Sequence, residues 1–230
     1  MENDPLLLSL SQPPLFELGE PSAETLELFP AVWAAAELLV SPEAPRRRSG
    51  LERLAELKAA RVSPLVAYLL ATRLLDPELE LRGRVVRLLD TVLSADDQGR
   101  LAHPAVRQAL TGWLVTMRTR PIYALLQVAE SDPSLDGPVT NLLNACPFAG
   151  SQLASLLAER KTPLSIRRQA ARFIAMVGYL EAVPTLERLE TRLASRQEGQ
   201  QAMPFLPPDP TDEVALLPAV QAALNSLRAP

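Results

Sequence analysis

Residues 162–189, TPLSIRRQAARFIAMVGYLEAVPTLERL, decide the fold. Ile166, Ala170, Phe173, Ile174 and Val177 recur at steps of three and four, which places them on one face of a helix. Gly178 follows the last of these, where a helix can close. Glu181–Pro184 then opens a second helix, whose stripe is Val183, Leu186, Leu189 and Leu193. One such pair offers about six large apolar side chains, each worth roughly 1.5 to 3 kcal/mol when buried. Ordering some 40 residues costs roughly 1.5 kcal/mol each, so a pair is not stable alone and must stack on neighbours.

The same spacing runs outward in both directions. Leu51, Leu54 and Leu57 are followed by Val62, Leu65, Val66, Leu69, Leu70 and Leu74, and Asp76-Pro77 opens a helix carrying Leu81, Val85, Leu88, Leu89 and Val92. His103-Pro104 starts the next, with Val106, Leu110, Trp113, Leu114 and Met117 on one side. Shorter stripes follow at Ile122, Leu125, Leu126 and Ala129, at Leu135, Val139, Leu142, Leu143 and Cys146, and at Leu153, Leu156 and Leu157. A last helix carries Val214, Leu217, Val220, Leu224 and Leu227. Near the N-terminus Leu26, Phe29, Trp33, Ala36 and Leu39 share a face from an N-cap at Ser22, and Pro30 is expected to start a new helix there. A loop is expected over Pro42, Pro45 and the triplet Arg46-Arg47-Arg48. No stretch alternates as a strand would, and leucine and alanine dominate while aromatics are only 4%, so the fold class is all-α.

Proline sets a register. Ser63-Pro64-Leu65-Val66 matches Val183-Pro184-Thr185-Leu186 at an offset of 120, and Asp76-Pro77 with Leu81-Arg82 matches Thr162-Pro163 with Ile166-Arg167 at about 85. Both offsets lie near multiples of roughly 40 residues, the period of a two-helix repeat. With Ile166-Arg167, Ala170-Ala171, Gly178 and Glu181-Ala182-Val183-Pro184, residues 162–189 resemble a HEAT repeat, and 51–93 resemble it more loosely. Thr162 stands where such repeats often carry the aspartate found here at Asp76. The resemblance to the HEAT/armadillo-like family implies a short α-solenoid of stacked antiparallel helix pairs, partly irregular, over residues 23–230. Residues 1–22, with Pro5, Pro13, Pro14 and Pro21, read as an extended tail, and 196–210 as a proline-rich loop.

Composition narrows the function. The net charge is −4, which argues against general nucleic-acid binding, because sequence-independent affinity for phosphates needs cationic excess. The single cysteine, Cys146, excludes an internal disulfide framework; with acidic Glu2 and Asp4 where a signal peptide would be basic, a cytoplasmic location is expected. No stretch reaches the roughly 20 apolar residues that span a bilayer, so membrane insertion is not expected. The lone histidine, His103, reads as a helix-start residue and Cys146 as a buried small hydrophobe, and no glycine-rich phosphate loop or metal-ligand spacing occurs. Asp96-Asp97 and the group Asp209, Asp212 and Glu213 read as loop and capping carboxylates. No cofactor, metal or catalytic set is expected, and Asp90 and Asp136 are the only weak candidates for chemistry.

The surface remains. Arg84 and Arg87 lie away from the stripe of Leu81, Val85 and Leu88, and Arg168 and Arg172 lie away from that of Ile166 and Ala170. In HEAT-like solenoids the second helices line a concave surface, so the resemblance makes these arginines neighbours of a groove, able to grip an acidic partner segment or else paired with helix carboxylates. Met203 and Phe205 are bulky apolar residues in the proline-rich loop, placed there as a cap or a docking element. The expected function is a non-catalytic protein-interaction scaffold or assembly subunit with a protein partner. The alternative is an enzyme-accessory or nucleic-acid-binding HEAT-like protein using an arginine ridge. Oligomeric state stays open.

Overall fold

The computed structural model of the chain describes residues 23–201 and 213–229, and among these every regular element is helical. The expected tail over 1–22, and the loop residues 202–210 with Met203 and Phe205, lie outside the described residues. The helices are α1 (Ala23–Leu39), α2 (Ala44–Glu56), α3 (Ala59–Val62), α4 (Pro64–Thr72), α5 (Leu79–Leu93), α6 (Pro104–Val115), α7 (Thr119–Ser131), α8 (Asp136–Asn144), α9 (Ala149–Ala158), α10 (Leu164–Val177), α11 (Val183–Gln201) and α12 (Leu217–Arg228). Short 3-10 turns at Arg73–Leu75, Pro133–Leu135, Leu180–Ala182 and Glu213–Leu216 tighten several of the junctions. No helix among these residues is long and apolar enough to cross a membrane.

Polar residue and proline together start the helices, as the sequence pattern predicts. The Ser63 hydroxyl accepts from the Val66 amide at 3.3 Å, and the Asp76 carboxylate from the Glu78 amide at 2.9 Å. His103 Nδ1 accepts from the Ala105 amide at 3.3 Å, which fixes its role as the α6 N-cap. Each satisfies an amide that has no partner inside its helix. At the other end, Gly178 closes α10 at φ +83°, its amide donating to the Ile174 carbonyl at 3.1 Å. Glycine adopts this left-handed conformation without the Cβ penalty.

Five expectations are corrected. Helix α1 runs through Pro30 instead of restarting there, because Val32, Ala35 and Leu39 beyond it pack inward while the proline ring faces solvent. Trp33 is 53% exposed and donates from Nε1 to Glu37 Oε1 at 2.8 Å, not part of the buried face. Helix α1 meets α2 through Ala35 and Leu39 instead: a Cβ on Gly50 would sit 2.6 Å from both the Ala35 carbonyl oxygen and the Leu39 nitrogen. The Arg46-Arg47-Arg48 triplet belongs to α2, which Pro45 starts, and Arg47 is buried. Residues 196–201 continue α11 instead of opening the loop. The helix break at Ser63 also shifts the phase of the stripe, so Val66, Ala67, Leu70 and Ala71 are buried while Val62 and Leu65 face outward.

The buried side chains form one continuous apolar cluster from Ala35 to Leu224. Helix α1 packs on α2, which also touches α3 and α5. Helix α4 lies against α5 and α6; α5 packs on α8 and touches α7. Helix α10 packs on α9 and α12 and also contacts α7 and α8, while α11 lies against α12 and α9. Trp113 is half-buried against this core, as its stripe predicts. Polar clasps join distant segments. Arg61 donates to the carbonyls of Thr91 and Ser94 and, at 2.6 Å, of Arg100, tying the α5–α6 connection to α3. The Tyr179 hydroxyl, its pKa raised by burial, donates to the Leu143 carbonyl at 2.9 Å and holds the α10–α11 junction to α8.

Candidate partner-binding face

Three of the four arginines picked out by sequence are tied to carboxylates of neighbouring elements. Arg84 of α5 donates to Glu52 of α2 at 2.7 Å and to Glu80, one turn earlier, at 2.9 Å; these hydrogen bonds, that to Glu52 foremost, raise its pKa. Arg87, also on α5, reaches Asp132 at 2.5 Å and the Ser134 hydroxyl at 3.3 Å, in the turn that leads into α8. Arg172 of α10 forms a two-pronged pair with Asp136 at the start of α8, with Nη1 2.7 Å from Oδ2, and its guanidinium lies 5.1 Å from the centre of the Phe173 ring. These pairs therefore step from α2 to α5, from α5 to the start of α8, and from α8 to α10. Their exposure keeps their contribution to stability small.

Arg168 differs. It is exposed and has no hydrogen bond or ion pair among the described residues. With Arg172 it lines a groove between α10 and α12 of about 390 Å³, together with Ala175, Met176, Ala219 and Ala222. Met176 is 47% exposed there. Alanines on α12 keep the groove open, and the methionine gives it an adaptable apolar wall. The structure thus brings Arg168 and Arg172 together at one groove and places Arg84 and Arg87 in helix-to-helix pairs.

The weak candidates for chemistry have structural partners. Asp90 accepts from the Asn141 amide at 2.7 Å and the Ser94 hydroxyl at 3.1 Å, and Asp136 is the partner of Arg172. Cys146 is buried, and burial pushes its thiol pKa up, which suits a small core side chain better than a nucleophile. Among the described residues no three His, Cys, Asp or Glu side chains come together as metal ligands.

Two interior arginines escaped the sequence reading. Arg47, 6% exposed, grips Asp76 at 2.7 and 2.9 Å and donates to the Pro42 carbonyl at 2.8 Å. Arg167, 1% exposed, donates to the Leu157 carbonyl at 2.7 Å and to Glu213 at 2.6 Å. Glu213 was read as a capping carboxylate; it is instead the anchor of this pair, and Arg192 also donates to it at 2.6 Å while Arg160 and Arg196 stand 3.9 and 3.6 Å away. Burial raises the Glu213 pKa, and the hydrogen bond and charge of Arg167, with Arg192 and Arg160, outweigh it and leave the carboxyl below its ordinary range. A signal for both arginines existed. Arg47 is in phase with Gly50, Leu51 and Leu54, and Arg167 with Ala170, Ala171 and Ile174, so each falls on its helix's buried face.

Comparison with protein-family models finds none that matches this chain, and comparisons with curated proteins and with solved structures find no match either.

Proposed function

We propose that the chain is a non-catalytic helical-repeat scaffold of the HEAT/armadillo kind, and that the α10–α12 groove takes an acidic, partly apolar segment of a protein partner. The repeat reading is supported by the order of packing. Pairs α1–α2, α4–α5, α7–α8 and α9–α10 are each joined by short connections, which favour antiparallel neighbours, and α11 packs on α12 across a longer one. Their second helices touch in sequence, α2 with α5, α5 with α8, α8 with α10, and α10 with α12. Helices α3 and α6 stand outside this pairing and make the array irregular. A stacked array requires each pair to bury part of its stripe against a neighbour, and the contacts between successive second helices support that reading.

The observation that carries the binding reading is Arg168: a guanidinium without a carboxylate, beside an apolar groove, on a face where the other three arginines are satisfied from within. A partner carboxylate would complete the fork that Arg84 and Arg172 already show. The carboxylates on Arg84, Arg87 and Arg172 weigh against a phosphate-binding ridge, which needs uncompensated charge. The test is capture by the full chain, wild type against Arg168→Glu and against Ala222→Trp, which fills the groove. Both variants are expected to keep the wild-type melting temperature and to lose the same captured proteins. Undiminished capture by both would place the partner on another surface.

A further inference from the structure

The net charge of the chain is confined to one end. Lysines and arginines number 23 and acidic residues 27, and residues 1–22 hold Glu2, Asp4, Glu17 and Glu20 with no lysine, arginine or histidine. Residues 23–230 are therefore balanced, and the stretch ahead of α1 carries the whole charge of −4. Its acids stand beside bulky apolar residues: Glu2 and Asp4 precede Leu6-Leu7-Leu8, and Glu17 follows Leu15-Phe16.

The α10–α12 groove has the complementary chemistry. Two guanidiniums line it and no carboxylate does. Arg172 is neutralised by Asp136 of α8, so the uncompensated charge there is that of Arg168. Met176 and the alanines of both walls supply apolar surface beside it. Reach decides which acids can arrive. Leu7 stands sixteen residues before Ala23, the first residue of α1, a reach of roughly 55 Å at about 3.3–3.6 Å per residue. From α1 the contacts run through α2, α5, α8 and α10 to the groove, and at roughly 8–10 Å per helix-to-helix step even a straight path is about 40 Å. Glu17, six residues before Ala23, reaches only about 20 Å. A tethered segment meets its groove at an effective concentration far above that of free chains at micromolar levels, which favours the chain's own segment over a second copy.

We propose that residues 2–10 dock in the α10–α12 groove of their own chain, with Glu2 and Asp4 at Arg168 and the leucines against Met176 and the alanines, and that a partner segment must displace them. This rests on reading that groove as a site for acidic, partly apolar segments. The test is a disulfide in the full chain, at micromolar concentration, between Ser9→Cys and Ser226→Cys. Ser226 is exposed and lines the groove, and the buried Cys146 does not compete. The bond forms only when the two Cα atoms come within about 7 Å. Ser9→Cys with Gly112→Cys, at an exposed position on α6, is the control. Under mild oxidation the groove pair is expected to close within one chain at least about tenfold faster than the control pair, read by non-reducing gel and peptide mapping. Arg168→Glu alone, or Glu2→Lys with Asp4→Lys, should remove that lead, and the three together should restore it. Equal rates for the two pairs, a rate indifferent to both charge reversals, or a bond between two chains would overturn the docking. Partner capture is read separately. If it still depends on Arg168 when the disulfide fails, the docked segment falls and the partner site stands; if the disulfide forms and capture ignores Arg168, the reverse holds.

Discussion

Charged side chains hold this apolar interior at two fixed points. Asp76, 7% exposed, caps the start of the segment leading to α5 and at the same time neutralises Arg47 of α2. Replacing Asp76 with alanine strands a buried guanidinium, a loss of roughly 3–5 kcal/mol for a pair broken from one side. Urea denaturation of Asp76→Ala measures it, and a loss below about 1 kcal/mol would mean that water reaches Arg47. Glu213 gives a pH dependence. Its folded pKa is depressed, so its stabilisation is present above the ordinary glutamate value of about 4.3 and is lost as pH falls through the lower folded value. Melting temperatures between pH 7 and 3 should therefore fall more steeply on acidification in the wild type than in Glu213→Gln; parallel curves would show that Glu213 does not titrate with folding. The position of both arginines was legible in the chain as a residue in phase with an apolar stripe. Their partners were not, because Asp76 lies 29 residues from Arg47 and Glu213 lies 46 from Arg167, and no local pattern links residues so far apart.

Helix starts were the most legible feature of the elements, because a side-chain cap and a proline act within three or four residues. Ser63-Pro64, Asp76-Pro77 and His103-Pro104 all open helices or the turns before them. Breaks were less legible. Pro30 reads as a boundary, yet tertiary packing of Val32, Ala35 and Leu39 carries α1 across it. The missing amide hydrogen bond still has a cost, so Pro30→Ala is expected to stabilise the protein by about 1–3 kcal/mol. Thermal or chemical denaturation decides this, and a destabilised variant would mean that the proline ring itself shapes α1. Which residues of a stripe face inward also depends on small kinks. The break at Ser63 turns Val62 and Leu65 outward, and a continuous reading at steps of three and four cannot foresee it.

Across the whole molecule the all-α class followed from periodicity, and the candidate site followed only in part. The four arginines were correctly placed away from the core stripes, but three of them meet carboxylates from helices separated by 32 to 45 residues in the chain. Only packing reveals that Arg168 is the exception and that it stands over a groove. The same long reach governs the connection between α5 and α6. There Arg61 holds the carbonyls of Thr91, Ser94 and Arg100, and Asp96 accepts from the amides of Gln98 and Arg100 at 3.0 and 2.8 Å. A protease must draw a substantial stretch of extended backbone into its active site, and exposed connections are its usual points of attack. The Arg100–Leu101 bond is exposed in its side chains yet locked in its backbone, so trypsin is expected to spare it in the native chain. Arg61→Gln should make it an early cleavage point, read by mass spectrometry of the first fragments, and the location of that nick would report how far a single guanidinium on α3 keeps the middle of the chain intact in a degrading environment.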